Sequence, residues 1–222
     1  MAQQNPTQFQ LNYTKKNLPD SVVLDTLIYW RNRMYGQRLI GIDPSRYNGD
    51  TYGNLSQRIN QDQNLPTNKR AFVITGSQTS HLPPQDLTRE HFAVVSEYHP
   101  EQDKFAAEGP IRPSREAMTH GVVYDIDPSI IFVVHVHSPE LYIHAEKLGL
   151  PKTSEPAVHA TPKMAEQVRR ALNDTNARDL GILVMNGPGD GVISFSSDPN
   201  VAGSILLEKL IELDDFFKRL GI

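Results

Sequence analysis

The segment Ile130–Ser138 reads I-I-F-V-V-H-V-H-S, and the rest of the chain is understood around it. Ile130 to Val134 are all β-branched or aromatic. Such a run reads as a buried strand, because these side chains suit a pleated surface covered on both faces. Side chains alternate along a strand, so His135 and His137 share one face while Val136 points to the other. Two imidazoles on one rigid face can supply two nitrogens to a divalent metal. The plainer alternative is a pair of hydrogen-bonded histidines at the end of a core strand.

The 222 residues around this strand are enough for one substantial α/β domain. A hydrophobic content of 38% with 22% charged residues suits a soluble globular protein. The net charge of −4 argues against a nucleic-acid partner, which favours a basic surface. No apolar run approaches the ~18 residues of a membrane helix. The start, M-A-Q-Q-N-P-T-Q-F-Q, lacks the basic residues and apolar core of a secretory signal. The expectation is a cytoplasmic protein that meets neither membrane nor nucleic acid. Without cysteine there is no disulfide and no thiolate ligand. Any metal must therefore be held by His, carboxylate, other oxygen donors or water.

Residues 1–19, rich in Gln, Asn and Pro, read as a loose leader to a single domain over 20–222. Asp20 or Ser21 is placed to cap a helix carrying Val23, Leu27, Trp30 and Met34 at helical spacing. The run D-P-S-R-Y-N-G-D-T-Y-G is dense in turn formers and reads as a loop. N-L-S-Q-R-I, A-F-V-I-T and H-F-A-V-V-S-E-Y follow as strands. Ser114 is placed to cap a helix with Glu116 in its first turn, and Glu116 and His120, four apart, share a face. After the histidine strand comes a helix, P-E-L-Y-I-H-A-E-K-L, stopped by Gly149. Thr161-Pro162 and Asp198-Pro199 each pair a cap with proline at the first helical position. The second opens a long amphipathic helix carrying Ile205, Leu206, Leu210, Leu213, Phe217 and Leu220. Between the two lie the strands G-I-L-V-M and V-I-S-F.

Three polar turns accompany the histidine pair: Gly53–Arg58 (G-N-L-S-Q-R), Ile74–Gln78 (I-T-G-S-Q) and Pro113–Glu116 (P-S-R-E). In this order, with H-V-H-S after them, they resemble the class II aldolase/adducin family from about Val22 to the end. The resemblance implies a three-layer α/β/α sandwich around a central, largely antiparallel sheet, assembled as a homotetramer. It implies a divalent ion, zinc in type, held by three histidines, with His135 and His137 as the first two. Glu116 would be the acid/base carboxylate. His120 would be structural. Asn54, Ser56, Gly76, Ser77 and Ser114 match or nearly match positions that bind substrate phosphate. Such enzymes cleave or form carbon–carbon bonds in sugar phosphates, while adducin-type members keep the fold without the chemistry.

Three departures qualify the resemblance. The third histidine is expected after the strand Gly181–Met185, where this chain has M-N-G-P-G-D-G and so presents Asn186. An amide oxygen is a poor substitute for imidazole on zinc. His159, in A-V-H-A-T-P, and Asp190 are the alternative donors; His159 reads first as an ordinary loop histidine. Arg115 stands where such aldolases carry a small hydroxyl residue, and it would either pair with a substrate anion or fill its pocket. The tyrosine that such aldolases take from a neighbouring subunit as proton donor has no counterpart. The reading is a metal-dependent lyase for a small phosphorylated or carboxylated hydroxy-carbonyl compound. Its alternatives are a non-catalytic adducin-like interaction protein, or a decarboxylase or oxygenase of the same fold.

Overall fold

A computed structural model describes residues 9–60 and 62–221. The described residues form ten strands and six α-helices. The strands are β1 (Gln10–Lys15), β2 (Gly41–Ile42), β3 (Thr51–Tyr52), β4 (Asn54–Arg58), β5 (Phe72–Thr75), β6 (Phe92–His99), β7 (Lys104–Gly109), β8 (Phe132–His137), β9 (Ile182–Met185) and β10 (Gly191–Ser196). The helices are α1 (Asp25–Gly36), α2 (Ala117–Ile126), α3 (Pro139–Ile143), α4 (Pro162–Asp174), α5 (Ala177–Leu180) and α6 (Pro199–Leu220).

Eight strands form one sheet in the order β1-β7-β6-β5-β4-β8-β10-β9, antiparallel throughout except where β1 runs parallel to β7. The alternation read from the histidine strand sorts the two faces. Phe132, Val134 and Val136 join one core, with Leu27, Trp30 and Met34 of α1 and Leu206 of α6. Val133 faces the other core, with Met118 and Val122 of α2 and Met164 and Val168 of α4. Each face of the sheet is thus covered by helices, which is the expected three-layer α/β/α sandwich.

Several local expectations are corrected. Of the supposed leader, residues 1–8 lie outside the described residues, but Gln10–Lys15 is a paired edge strand. Leu11 and Tyr13 pack partly against the core there. Helix α1 starts at Asp25, not at Asp20 or Ser21, because Pro19–Val22 closes a turn that Arg89 holds through the carbonyls of Val22 and Pro19. Strand β7 was not anticipated. The loop after α1 contains the short ribbon β2–β3. Helix α3 ends at Ile143, and single helical turns continue from it to Gly149, whose φ of 63° turns the chain.

Helices α1 and α6 meet where Gly203 lies against Trp30; a Cβ on Gly203 would stand 2.1 Å from the indole. Alanine normally gains up to ~1 kcal/mol over glycine inside a helix. Overpacking of this severity costs about 1–3 kcal/mol and outweighs that gain. Gly203→Ala is therefore expected to lower the urea midpoint. An unchanged or raised midpoint would contradict the packing described.

Candidate metal and active site

Strand β8 lies between β4 and β10, which pairs His135 with Asn54 on one side and Ile193 on the other. Both histidines are buried, and their rings face the α2/α4 side at a centroid separation of 4.9 Å. They border a cavity of about 700 Å³. Asn54, Gly76, Ser77, Ser114, Arg115 and Glu116 also line it, so three turns far apart in sequence converge on the histidine pair. His159 completes the wall from the loop before α4. That loop histidine borders the same cavity as the pair.

Behind the cavity runs a chain of buried hydrogen bonds. Tyr124 Oη and Ser56 Oγ are 2.7 Å apart, Ser56 Oγ and His120 Nδ1 2.6 Å, and His120 Nε2 and Asn54 Oδ1 2.7 Å. Asn54 Nδ2 then lies 3.4 Å from His135 Nδ1. With the Asn54 amide as placed, His120 Nε2–H donates to Asn54 and Ser56 donates to His120 Nδ1. Ser56 is therefore turned into the core and not toward a substrate. Asn54 borders the cavity, but its amide is already engaged. His120 is the structural residue expected: fully buried, and pushed down to about 3 by desolvation. Burial, with the neighbouring imidazoles adding to it, likewise holds His135 well below the usual histidine range.

The anion turns are less open than their sequences imply. The backbone N–H groups of Gly76, Ser77 and Ser114 donate to His91, Arg112 and Thr75 carbonyls at 2.8, 2.8 and 3.1 Å. What remains toward the cavity is mainly hydroxyl. Ser114 is not the helix cap: α2 begins at Ala117 and Glu116 holds the cap position just before it, not the first turn as expected, with its N–H donating to Ser114 Oγ at 3.3 Å. The Arg115 guanidinium lies over the Phe9 ring and donates to Asp103 Oδ2 at 3.2 Å.

Glu116 is buried at the cavity edge. Thr119 Oγ1 donates to its Oε2 at 3.0 Å, and Oε1 has no partner. Burial raises its pKa, against the opposing pull of His159, the Thr119 hydrogen bond and His137. A carboxyl poised this way can hold a proton nearer neutrality than an exposed glutamate.

The N-G-P-G-D-G turn does not present Asn186 to the histidines. Its Oδ1 accepts from Tyr142 Oη at 3.0 Å, and its N–H donates to Thr153 Oγ1. Asp190 stands behind His137, its Oδ1 3.5 Å from His137 Nδ1. It also accepts a hydrogen bond from the Tyr47 hydroxyl and lies 3.3 Å from Arg46 Nη2. Tyr47 and Tyr52, not foreseen as site residues, set their rings 4.8 and 5.6 Å from His137. The signal available was aromatic and charged residues inside a loop of turn formers.

The donor chemistry can be tested against an ion. Two imidazoles sharing a tetrahedral ion at ~2.0–2.1 Å per Zn–N bond have ring centres roughly 5 Å apart. His135 and His137 meet that spacing. His135 Nε2 is buried without a partner, as a ligand nitrogen awaiting an ion would be. Among the described residues, no three His, Asp or Glu side chains yet stand close enough together to enclose an ion. The pair fits as two ligands; a third must come from adjustment or from water.

Among solved structures, the chain is similar to an L-fuculose 1-phosphate aldolase, at 15% identity and a TM-score of 0.62, covering 91% of this chain and 90% of that one. A sugar-phosphate aldolase from Thermotoga maritima matches at 12% identity and a TM-score of 0.61, covering 88% and 93%. An L-fuculose-1-phosphate aldolase from Thermus thermophilus matches at 20% identity and a TM-score of 0.54, again covering 88% and 93%. At these identities the likeness is one of fold. No curated protein matches the chain by sequence. The family described as Class II Aldolase and Adducin N-terminal domain matches residues 42–185, which include both histidines, Glu116 and all three polar turns. With that match over more than half its length, the chain belongs to the class II aldolase/adducin family.

Proposed function

We propose that the protein is a metal-dependent, aldolase-type lyase acting on a small phosphorylated or carboxylated hydroxy-carbonyl compound. The observation that carries this reading is the placement of Glu116, with one free carboxyl oxygen, in the same cavity wall as the His135–His137 pair. The two histidines would hold a divalent ion, zinc in type. Such an ion, when bound, stabilises negative charge developing on substrate oxygen as a carbon–carbon bond breaks. Glu116 holds and returns the proton that the reaction moves, and Thr119 fixes its orientation. The Ser77 and Ser114 hydroxyls, with Arg115 at the margin, orient the anionic end of the substrate. Water is limited on the His137 side by the Tyr47 and Tyr52 rings.

The reading extends to a cytoplasmic homotetramer, for which the half-exposed Ile211 and Leu220 on α6 offer apolar surface. Among the described residues no helix is long and apolar enough to cross a membrane. A second reading, a non-catalytic adducin-like interaction protein, is favoured by the occupied backbone N–H groups of the anion turns.

Metal uptake separates the two. Elemental analysis and zinc titration of the untagged protein are expected to give one ion per chain, lost in His135→Ala. Turnover is then sought on a panel of phosphorylated ketoses and hydroxy acids. No uptake, with His135→Ala indistinguishable from the parent, would overturn the lyase reading and leave the scaffold.

A further inference from the structure

We infer that His159, from the loop before α4, is the third metal-binding nitrogen, taking the place that Asn186 leaves empty after β9. The inference rests on the metal-dependent reading above and specifies its ligand set. Besides the main cavity there is a pocket of about 10 Å³ lined by His135, His137 and His159, with Met164 and Met185 at its apolar side. That is room for roughly one water-sized particle.

Two glycines of the N-G-P-G-D-G turn keep this pocket open. A Cβ on Gly191 would stand 3.1 Å from His135 Nε2. A Cβ on Gly189 would stand 3.3 Å from His137 Cε1 and 3.5 Å from His159 Nδ1. Asp190 of the same turn is engaged by Tyr47 and Arg46, so what the turn supplies in front of the three imidazoles is space. The unpartnered His135 Nε2 is the nitrogen that looks into that space.

The His137 and His159 rings are 6.3 Å apart, about 1 Å wider than two imidazoles on one tetrahedral ion require. Closing that gap requires the His159 ring to turn toward His137. The His159 side chain is exposed and makes no hydrogen bond among the described residues. Its loop is held on both sides: Ala157 N–H donates to Asn186 O at 2.9 Å, and Thr161 caps α4. A ring rotation moves the nitrogen without moving the backbone. Three neutral nitrogens suit zinc and similar borderline ions over magnesium or calcium, which prefer oxygen.

The experiment measures Zn(II) affinity by competition titration, and Co(II) visible absorption as a report of coordination. Both use the full-length apo protein and its His135→Ala, His159→Ala, His159→Gln and His159→Ala/Asn186→His variants. Loss of an outer-shell partner weakens metal binding ~10–100-fold, so loss of a ligand is expected to weaken it by about 100-fold or more. His159→Ala and His159→Gln should both do so, shift the Co(II) bands, and leave the thermal melting of the apo protein unchanged. Adding Asn186→His should restore nothing, because that side chain points to Tyr142. Full affinity in His159→Ala alongside loss in His135→Ala would overturn the inference while the metal reading stood. Recovery by Asn186→His would overturn it too. An unmutated protein that binds no zinc would overturn both.

Discussion

Glu116→Gln is expected to lower turnover by about a hundredfold to ten-thousandfold while the bound metal stays at the parent level. That range is what a positioned acid/base group typically contributes. The substitution keeps the shape of the side chain and removes its ability to gain and lose a proton. Its amide oxygen still accepts from Thr119 Oγ1, the contact that fixes Oε2 at 3.0 Å. Its NH₂ takes the place of Oε1, which has no partner to lose. The fold therefore has little reason to respond, and the effect reads out chemistry. A first-turn acid with no catalytic part would cost ~0.3–1 kcal/mol of stability through the helix dipole and spare activity. A metal ligand would lose ion and activity together. Parallel measurement of turnover, metal content and melting separates the three, and full activity in Glu116→Gln would reject the proposed role.

The parts of this site that could be read from sequence were those fixed by short-range geometry. Period-two alternation put His135 and His137 on one face, and the polar turns announced themselves by composition. What escaped was decided by distant contacts or by side-chain direction. The Tyr47–Asp190 hydrogen bond joins residues 143 positions apart, and nothing near either residue encodes it. Spacing placed residue 186 on the turn after β9 but could not show that its amide faces Tyr142. Ser56 sits in a motif associated with phosphate, yet strand pairing turns it toward His120. Strand β7 hid because Lys104, Ala106 and Glu108 alternate with only one large apolar residue, Phe105. Edge strand β1 hid because Leu11 and Tyr13 are only half-buried and stand among polar neighbours. The largely antiparallel sheet and its helical layers were implied by family resemblance, and the burial of β8 along its whole length, on both faces, accounts for the two helical layers physically.

The apo protein is expected to lose stability steeply as pH falls below about 6.5. His120 is neutral in its buried chain of hydrogen bonds, with a pKa pushed down to about 3 from an ordinary 6.5 by desolvation. Between those values the unfolded chain binds a proton at this position and the folded one does not. Stability therefore rises with pH across that window. The contribution is fully present above pH 6.5 and is lost progressively on acidification. Roughly three and a half pH units at about 1.4 kcal/mol each set a ceiling near ~5 kcal/mol for His120 alone. That is a large part of the ~5–15 kcal/mol that holds a typical domain folded. His135, shifted in the same direction by burial, adds to the slope. Glu116 and Asp125, whose pKa values burial raises, act in the opposite sense and offset part of it. Comparison with His120→Gln isolates the histidine: glutamine can still donate to Asn54 Oδ1 but does not titrate. Urea unfolding of the chelator-treated protein at pH 7, 6, 5 and 4 should show His120→Gln less stable at pH 7 but flatter on acidification. The difference in slope should approach about 1.4 kcal/mol per pH unit. Parallel curves for parent and variant would mean that His120 does not stay neutral in the folded protein, and the buried chain linking Tyr124 to His135 would need a different protonation.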